Sequence, residues 1–141
     1  VWGAGAAVVA VGVGGTVLKT TNQGATWSRL TTNVATAING VYGFSATDVW
    51  VVGSSATVLH TTDGGTTWTK VSFTDASSLY AVWGTGNDNL FIGTANGVYR
   101  TTDSGATWLL QGGAQITTYS LFGTGAADVW VFSGSSVYHN Y

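Results

Sequence analysis

Four positions about one repeat apart carry a basic or imidazole side chain: Lys19, His60, Arg100 and His139. Three acidic residues, Asp48, Asp88 and Asp128, recur at a similar spacing. A ring of cationic groups would meet anionic partners. The same side chains at the ends of strands would instead serve solubility, or pair locally with the aspartates if the strand register puts both on one face. Catalytic readings find less support. Paired-carboxylate hydrolysis needs two acids facing one another, yet the chain has six Asp, no Glu, and its Asp residues are spread along it. A Ser/His/Asp site around His60 lacks a G-x-S-x-G turn. No His pair has ligand spacing, and Asn87-Asp88-Asn89 lacks the rest of a calcium loop. Gly12-Val13-Gly14-Gly15 is followed by no helical stretch that could complete a phosphate site. The expectation is a protein that is not an enzyme, with no cofactor and no metal.

These residues sit inside a repeat. Thr61-Thr62-Asp63-Gly64-Gly65-Thr66-Thr67-Trp68 returns as Thr101-Thr102-Asp103-Ser104-Gly105-Ala106-Thr107-Trp108, and as Thr20-Thr21-Asn22-Gln23-Gly24-Ala25-Thr26-Trp27. Asn22 and Asp63 are 41 residues apart, Asp63 and Asp103 are 40 apart. Such a period means one supersecondary unit used several times. The eight residues read as a tight turn between strands. Asn22, Asp63 or Asp103 accepts backbone N–H groups one or two residues on. Gly24, Gly65 or Gly105 supplies a positive φ. The Thr before the Trp begins a strand, and Trp27, Trp68 or Trp108 buries a large apolar surface beside the turn.

The pattern resembles the Asp-box, or BNR, repeat, and the resemblance covers nearly the whole chain. It implies that the box joins the third and fourth strands of a β-propeller blade and plays a structural part. Families with the box include sialidases, sortilin-like receptors, some glycoside hydrolases and lectins, and photosystem II assembly factors. Sialidases use three Arg, a Tyr–Glu pair and an Asp. With two Arg and no Glu, this chain cannot carry that site.

The rest of the chain agrees with an all-β propeller. Each repeat opens with an apolar–aromatic–Gly triplet, Val1-Trp2-Gly3, Val41-Tyr42-Gly43, Val82-Trp83-Gly84 or Leu121-Phe122-Gly123. This is read as the end of an innermost strand. The second strand is continuously apolar, as in Val49-Trp50-Val51-Val52. An antiparallel strand with one wet face alternates, so both faces must be covered, as they are between propeller blades. Trp50 and Trp130 are therefore expected in the core. The single domain 1–141 divides into repeats 1–40, 41–81, 82–120 and an incomplete 121–141. Blades of four antiparallel strands are expected, about four per chain, near the lower limit for a closed ring. The favoured completion is a homodimer making a ring of about eight blades. A monomeric four-bladed ring and a fragment of a longer chain stay open. The chain opens on Val1-Trp2-Gly3 without a Met, which reads as a processed, trimmed or designed piece.

Composition narrows the partners. Charged residues are 7% and the net charge is −2, which offers no footprint for nucleic acid. No apolar run approaches the ~20 residues needed to span a bilayer, so no membrane partner is expected. Without Cys the redox compartment is undetermined, and the expected setting is extracellular or periplasmic. The ligand face of such propellers lies opposite the box. Its loops are 31–36, 74–78 and 111–117, with the turns 54–56 and 94–96. They offer Asn33, Ser54, Asp75, Asn96 and Gln115 as candidate ligand-binding residues. Hydroxyl and amide side chains there suit glycans, as they suit ordinary solvated loops. The aromatic column Trp2, Tyr42, Trp83 and Phe122 would be either a stacking platform for sugars or packing between blades. The expected function is a non-catalytic, lectin-like carbohydrate-binding module. The alternative is a protein-interaction or assembly scaffold of the photosystem assembly factor type, or a propeller piece with no ligand.

Overall fold

The computed structural model describes residues 1–112 and 115–139. Gly113 and Ala114, within the expected loop 111–117, and Asn140 and Tyr141, at the end of the fourth repeat, lie outside the described residues. Fifteen strands and no helix occur among the described residues. That follows from a chain in which Val, Thr, Gly and aromatics fill every window.

The strands form four antiparallel meanders. The first is β1 (Trp2–Ala4), β2 (Ala7–Val11), β3 (Val17–Thr20) and β4 (Ser28–Leu30). The second is β5 (Ile38–Gly43), β6 (Val49–Gly53), β7 (Thr57–Thr61) and β8 (Thr69–Lys70). The third is β9 (Leu79–Gly86), β10 (Asn89–Thr94), β11 (Gly97–Thr101) and β12 (Leu109–Gln111). The fourth has three strands, β13 (Ser120–Gly125), β14 (Asp128–Ser133) and β15 (Ser136–His139). The innermost strands β1, β5, β9 and β13 lie against their neighbours in sequence order. The sheets thus stand as successive propeller blades around one side of an axis, and the ring is not closed.

The core is three joints between blades. Ile38, Val49, Val51 and Leu59 join blades one and two, with Trp2, Val11 and Trp68 packed on them. Trp50, Val52, Val58, Leu79, Val82, Leu90, Ile92 and Trp108 join two and three. Trp83, Phe91, Val98, Leu121, Val129 and Val131 join three and four. Each fully buried Leu, Ile or Phe contributes about 1.5–3 kcal/mol.

β6 and β10, between two neighbours, are buried at every residue. β14 alternates, because no described blade covers its outer side. Trp130, expected in the core, is therefore 38% exposed, whereas Trp50 is 1% exposed. The Trp after each box follows the same rule. Trp108 and Trp68 pack into the joint with the preceding blade, and Trp27, with no described blade before it, is 45% exposed.

Candidate functional site

The box turns are built from side-chain bonds. In the second blade Thr61 Oγ1 donates to Asp63 Oδ1 (2.8 Å) and accepts from Gly65 N (2.9 Å). Asp63 then receives Thr67 N (2.9 Å) and Thr67 Oγ1 (2.7 Å). Asp103 repeats this with Thr101 and Thr107. The carboxylate thus reaches four residues ahead, further than the sequence reading had it. The Thr before the Trp is its partner rather than a strand residue, and the fourth strands begin only after the Trp.

In the first copy Asn22 Oδ1 keeps the bonds from Thr20 and Thr26 N, and Asn22 Nδ2 donates to Thr26 Oγ1 instead (2.9 Å). An amide is therefore a working substitute. Asp103→Asn is expected to shift thermal stability little, while Asp103→Ala, which removes the acceptor of the Thr107 and Thr101 donors, is expected to lower the melting temperature clearly more. Thermal melts of the two variants check this.

The hydrogen bonds from the Thr67 and Thr107 side chains, and then from their backbone N–H groups, hold the Asp63 and Asp103 carboxyls at about 2, against an ordinary 3.8. Below pH 3.8 the unfolded chain therefore binds more protons than the folded one. The stability these groups contribute is complete above that value and is lost as pH falls toward 2. An acid titration followed by circular dichroism should show this loss, reduced in Asp103→Asn.

The box glycines do more than adopt φ near +90°. A Cβ on Gly105 would lie 2.8 Å from Val71 Cγ1 and 3.3 Å from Trp50 Cη2 of the preceding blade, and one on Gly65 would strike Leu30. The box is thus part of the joint as well as a turn.

Three members of the basic column, His60, Arg100 and His139, turn onto their own sheet. His60 Nε2 meets Asp48 Oδ1 at 2.8 Å, and its ring lies on Trp50 with centroids 4.0 Å apart. His139 does the same with Asp128 (2.6 Å) and Trp130 (4.0 Å). Hydrogen bonds from Thr124 and His139 hold the Asp128 carboxyl below its ordinary value. Arg100 sits 5.2 Å over Phe91 and donates Nε to Asn89 Oδ1 at 2.8 Å. Asn89, not Asp88, thus matches Asp48 and Asp128. Each precedes the residue paired with the inner-strand glycine: Val49 with Gly43, Leu90 with Gly84, Val129 with Gly123. The first blade has Ala7 there, so Lys19 reaches across the joint to the carbonyls of Ala46 and Gly64, both at 2.9 Å.

One linking residue escaped the sequence reading. Trp50 Nε1 donates to Asn87 Oδ1 (2.6 Å), and Asn87 Nδ2 donates to Asp48 Oδ2 (2.6 Å). The only sequence signal was an amide where the other blades carry Ala46 and Ala126. His60 spends Nε2 on a carboxylate and a ring face on an indole. That makes it a clamp between strands, not a base aimed at a nucleophile. Among the described residues no group of three or more His or Asp side chains could hold a metal.

The aromatic column is packing between blades. A Cβ on Gly43 would lie 2.7 Å from the Trp2 ring, and one on Gly123 would lie 2.5 Å from the Trp83 ring. An inner-strand aromatic thus lies over the glycine of the next blade in these two joints. Phe122, with no described successor, is 58% exposed.

The ligand candidates sit at the end opposite the boxes. Asp75 and Asn96 come together, with Nδ2–Oδ2 at 3.1 Å, and Tyr99 OH (3.3 Å) and Ser77 N (3.0 Å) add to the carboxylate. Partial burial pushes the Asp75 carboxyl up, but these bonds outweigh it and leave the group below its ordinary value. Ser54 is half-buried in a turn, its N–H on Ala37 O. Asn33 is exposed at φ 57° beside a depression of about 250 Å³ that also takes in Arg29, and Gln115 is exposed. Apart from Asp75 and Asn96, the structure does not gather these residues into one site.

A larger cleft, about 350 Å³, runs along the inner strands β1, β5, β9 and β13. Its wall includes Asn39, Tyr42, Tyr80, Trp83, Tyr119 and Phe122.

Comparison with known proteins bears on this architecture. The structure resembles a YCF48 chain bound to a D1 peptide, with a TM-score of 0.72 and 24% identity over 96% of this chain and 50% of that one. YCF48 from Cyanidioschyzon merolae gives 0.70 and 18%, over 95% and 52%. An ancestral GH74 enzyme gives 0.67 and 14%, over 89% and 20%. These likenesses speak for the propeller fold, and the chain spans about half the length of the YCF48 chains. No curated protein matches the sequence. The family profile described as photosynthesis system II assembly factor YCF48 matches residues 5–128. With the match running through all three boxes and into the fourth sheet, the chain belongs to the YCF48 family of BNR-repeat propellers.

Proposed function

We propose that this chain is a non-catalytic assembly module that recognises a segment of a protein partner. The observation that carries the reading is the family match over residues 5–128. A YCF48 structure with a D1 peptide makes a peptide the natural first partner to try. The side chains that sequence reading held for chemistry are spent on holding strands and blades together, which leaves recognition, not turnover, as the use of the surface. The test is titration of a labelled D1 peptide with the chain, followed by fluorescence anisotropy. Saturable binding at about 1–100 μM, the range of transient interfaces, is expected. No binding of that peptide, with retention of glycans on an array, would replace this reading with the lectin-like one. The comparisons lend the glycan reading no support.

Self-association is a second reading, favoured by one observation. Phe122, Trp130 and Phe132 on the fourth blade and Trp27 on the first leave apolar surface open on both outer faces. Light scattering tests it. A mass near 14.5 kDa means one chain, and about twice that supports a pair.

A further inference from the structure

We propose that Asn39, Tyr80 and Tyr119, at one repeat position on two successive inner strands and just before the third, form a binding site for an extended, uncharged peptide segment in the axial cleft. This rests on the protein-partner reading and names where and by what chemistry that partner is held. Counting back two residues from the equivalent pairs Val41–Val51, Val82–Ile92 and Leu121–Val131 gives the three positions. Register shifts at Ile38/Gly40, and opposite Gly93/Thr94, leave Asn39 and Tyr80 as the extra residues of β-bulges. Bulges re-aim side chains and concentrate beside functional sites. All three residues line the cleft, whose volume of about 350 Å³ is within the range of binding clefts.

The chemistry selects the ligand. Asn39 Nδ2 donates to the Leu79 carbonyl at 2.8 Å, which fixes the amide and leaves Oδ1 to accept a peptide N–H. Tyr80 and Tyr119 have ring centroids 5.3 Å apart and planes tilted by 47°, one aromatic pair on the cleft wall. No side chain lining the cleft is charged at neutral pH, so an ion placed there would go unpaired and bind poorly. A sugar would need an open ring face. Trp2 and Trp83 each lay ring atoms against Gly43 or Gly123, and Tyr42 packs edge-to-face with Phe44 at 5.5 Å, which leaves Tyr119 and Phe122 as the exposed rings of the cleft. A chain of neutral residues, donating N–H to Asn39 and setting an aliphatic or aromatic side chain against the tyrosine pair, satisfies every feature of this surface.

The test uses an array of capped peptides of about nine residues, long enough to run along the cleft. One set is neutral with a central Phe, Leu or Tyr, and a matched set carries Asp or Lys at the centre. An immobilised oligosaccharide set runs alongside. The chain is expected to retain the neutral peptides, and Tyr119→Ser to weaken that binding about tenfold. Tyr119 is exposed, so its replacement leaves the joints intact. Tyr80→Phe, which keeps the ring, is expected to show an intermediate loss with an unchanged melting temperature. Peptide binding that survives both substitutions, or that prefers the charged set, overturns this site while leaving the assembly reading in place. Retention of nothing overturns this site, and retention of oligosaccharides alone overturns both.

Discussion

Replacing Trp50 with alanine lowers the stability of the chain by about 3–5 kcal/mol. Domains of this kind have about 5–15 kcal/mol in all, so the melting temperature should fall by roughly 10–20 °C. The size follows from what the indole does. It is 1% exposed and sits in the joint between the second and third blades. Its ring carries the stacked His60 at 4.0 Å, and its Nε1 reaches Asn87 at 2.6 Å. Alanine leaves a cavity, removes the support under His60, and orphans an amide oxygen. Trp50→Phe refills most of the volume and should lose about half as much, the rest being the hydrogen bond. Differential scanning calorimetry of the two variants measures both parts. A loss below about 1 kcal/mol for alanine would mean that the joint does not close around this residue.

Alanine in place of Gly123 should cost about 1–3 kcal/mol, as overpacked sites do. Its Cβ would lie 2.5 Å from both the Asp128 carbonyl oxygen and the Trp83 ring. The carbonyl belongs to the pairing of β13 with β14 and cannot withdraw. Trp83, 7% exposed, is held against Phe91 at 5.9 Å. The strain therefore opens the joint between the third and fourth blades. Gly43→Ala meets first the ring of Trp2, which is half-buried where Trp83 is buried, and should cost less. If the clash with Trp83 is the cause, Trp83→Leu in the same chain should recover part of the loss. A double-mutant cycle by chemical denaturation gives that coupling.

Much of the fold was legible because a turn chemistry repeated at a fixed period declares its architecture. Asp63, Asp103 and Asn22, with Gly and Trp at constant offsets, announced blades. The unbroken Val49-Trp50-Val51-Val52 announced neighbours on both sides. Less could be read where function depends on the contact across a joint. Nothing near Gly105 in the chain says that Val71 and Trp50 press on it. Nothing near Asn87 says that it bridges Trp50 and Asp48, 37 and 39 residues away. Asn89, not Asp88, stands five residues after its inner-strand glycine, as Asp48 and Asp128 stand after Gly43 and Gly123, so a search for a repeated charge misses a position that a count from the glycine finds. Asn39 and Tyr80 were passed over because alternation would assign them a face, and a bulge in the inner strand reassigns it.

The aromatic laid over the following glycine, as Trp2 over Gly43 and Trp83 over Gly123, has a consequence for how blades can meet at all. Each of these joints has a giver and a receiver, and in the first of them the box Trp68 returns the contact in the opposite sense. The array therefore has a direction, like a row of identical hooks and eyes. Its last face matches its first and does not match itself. Any addition to either end must arrive in the same orientation as the blades already there, and two such chains could meet around a common axis but never back to back.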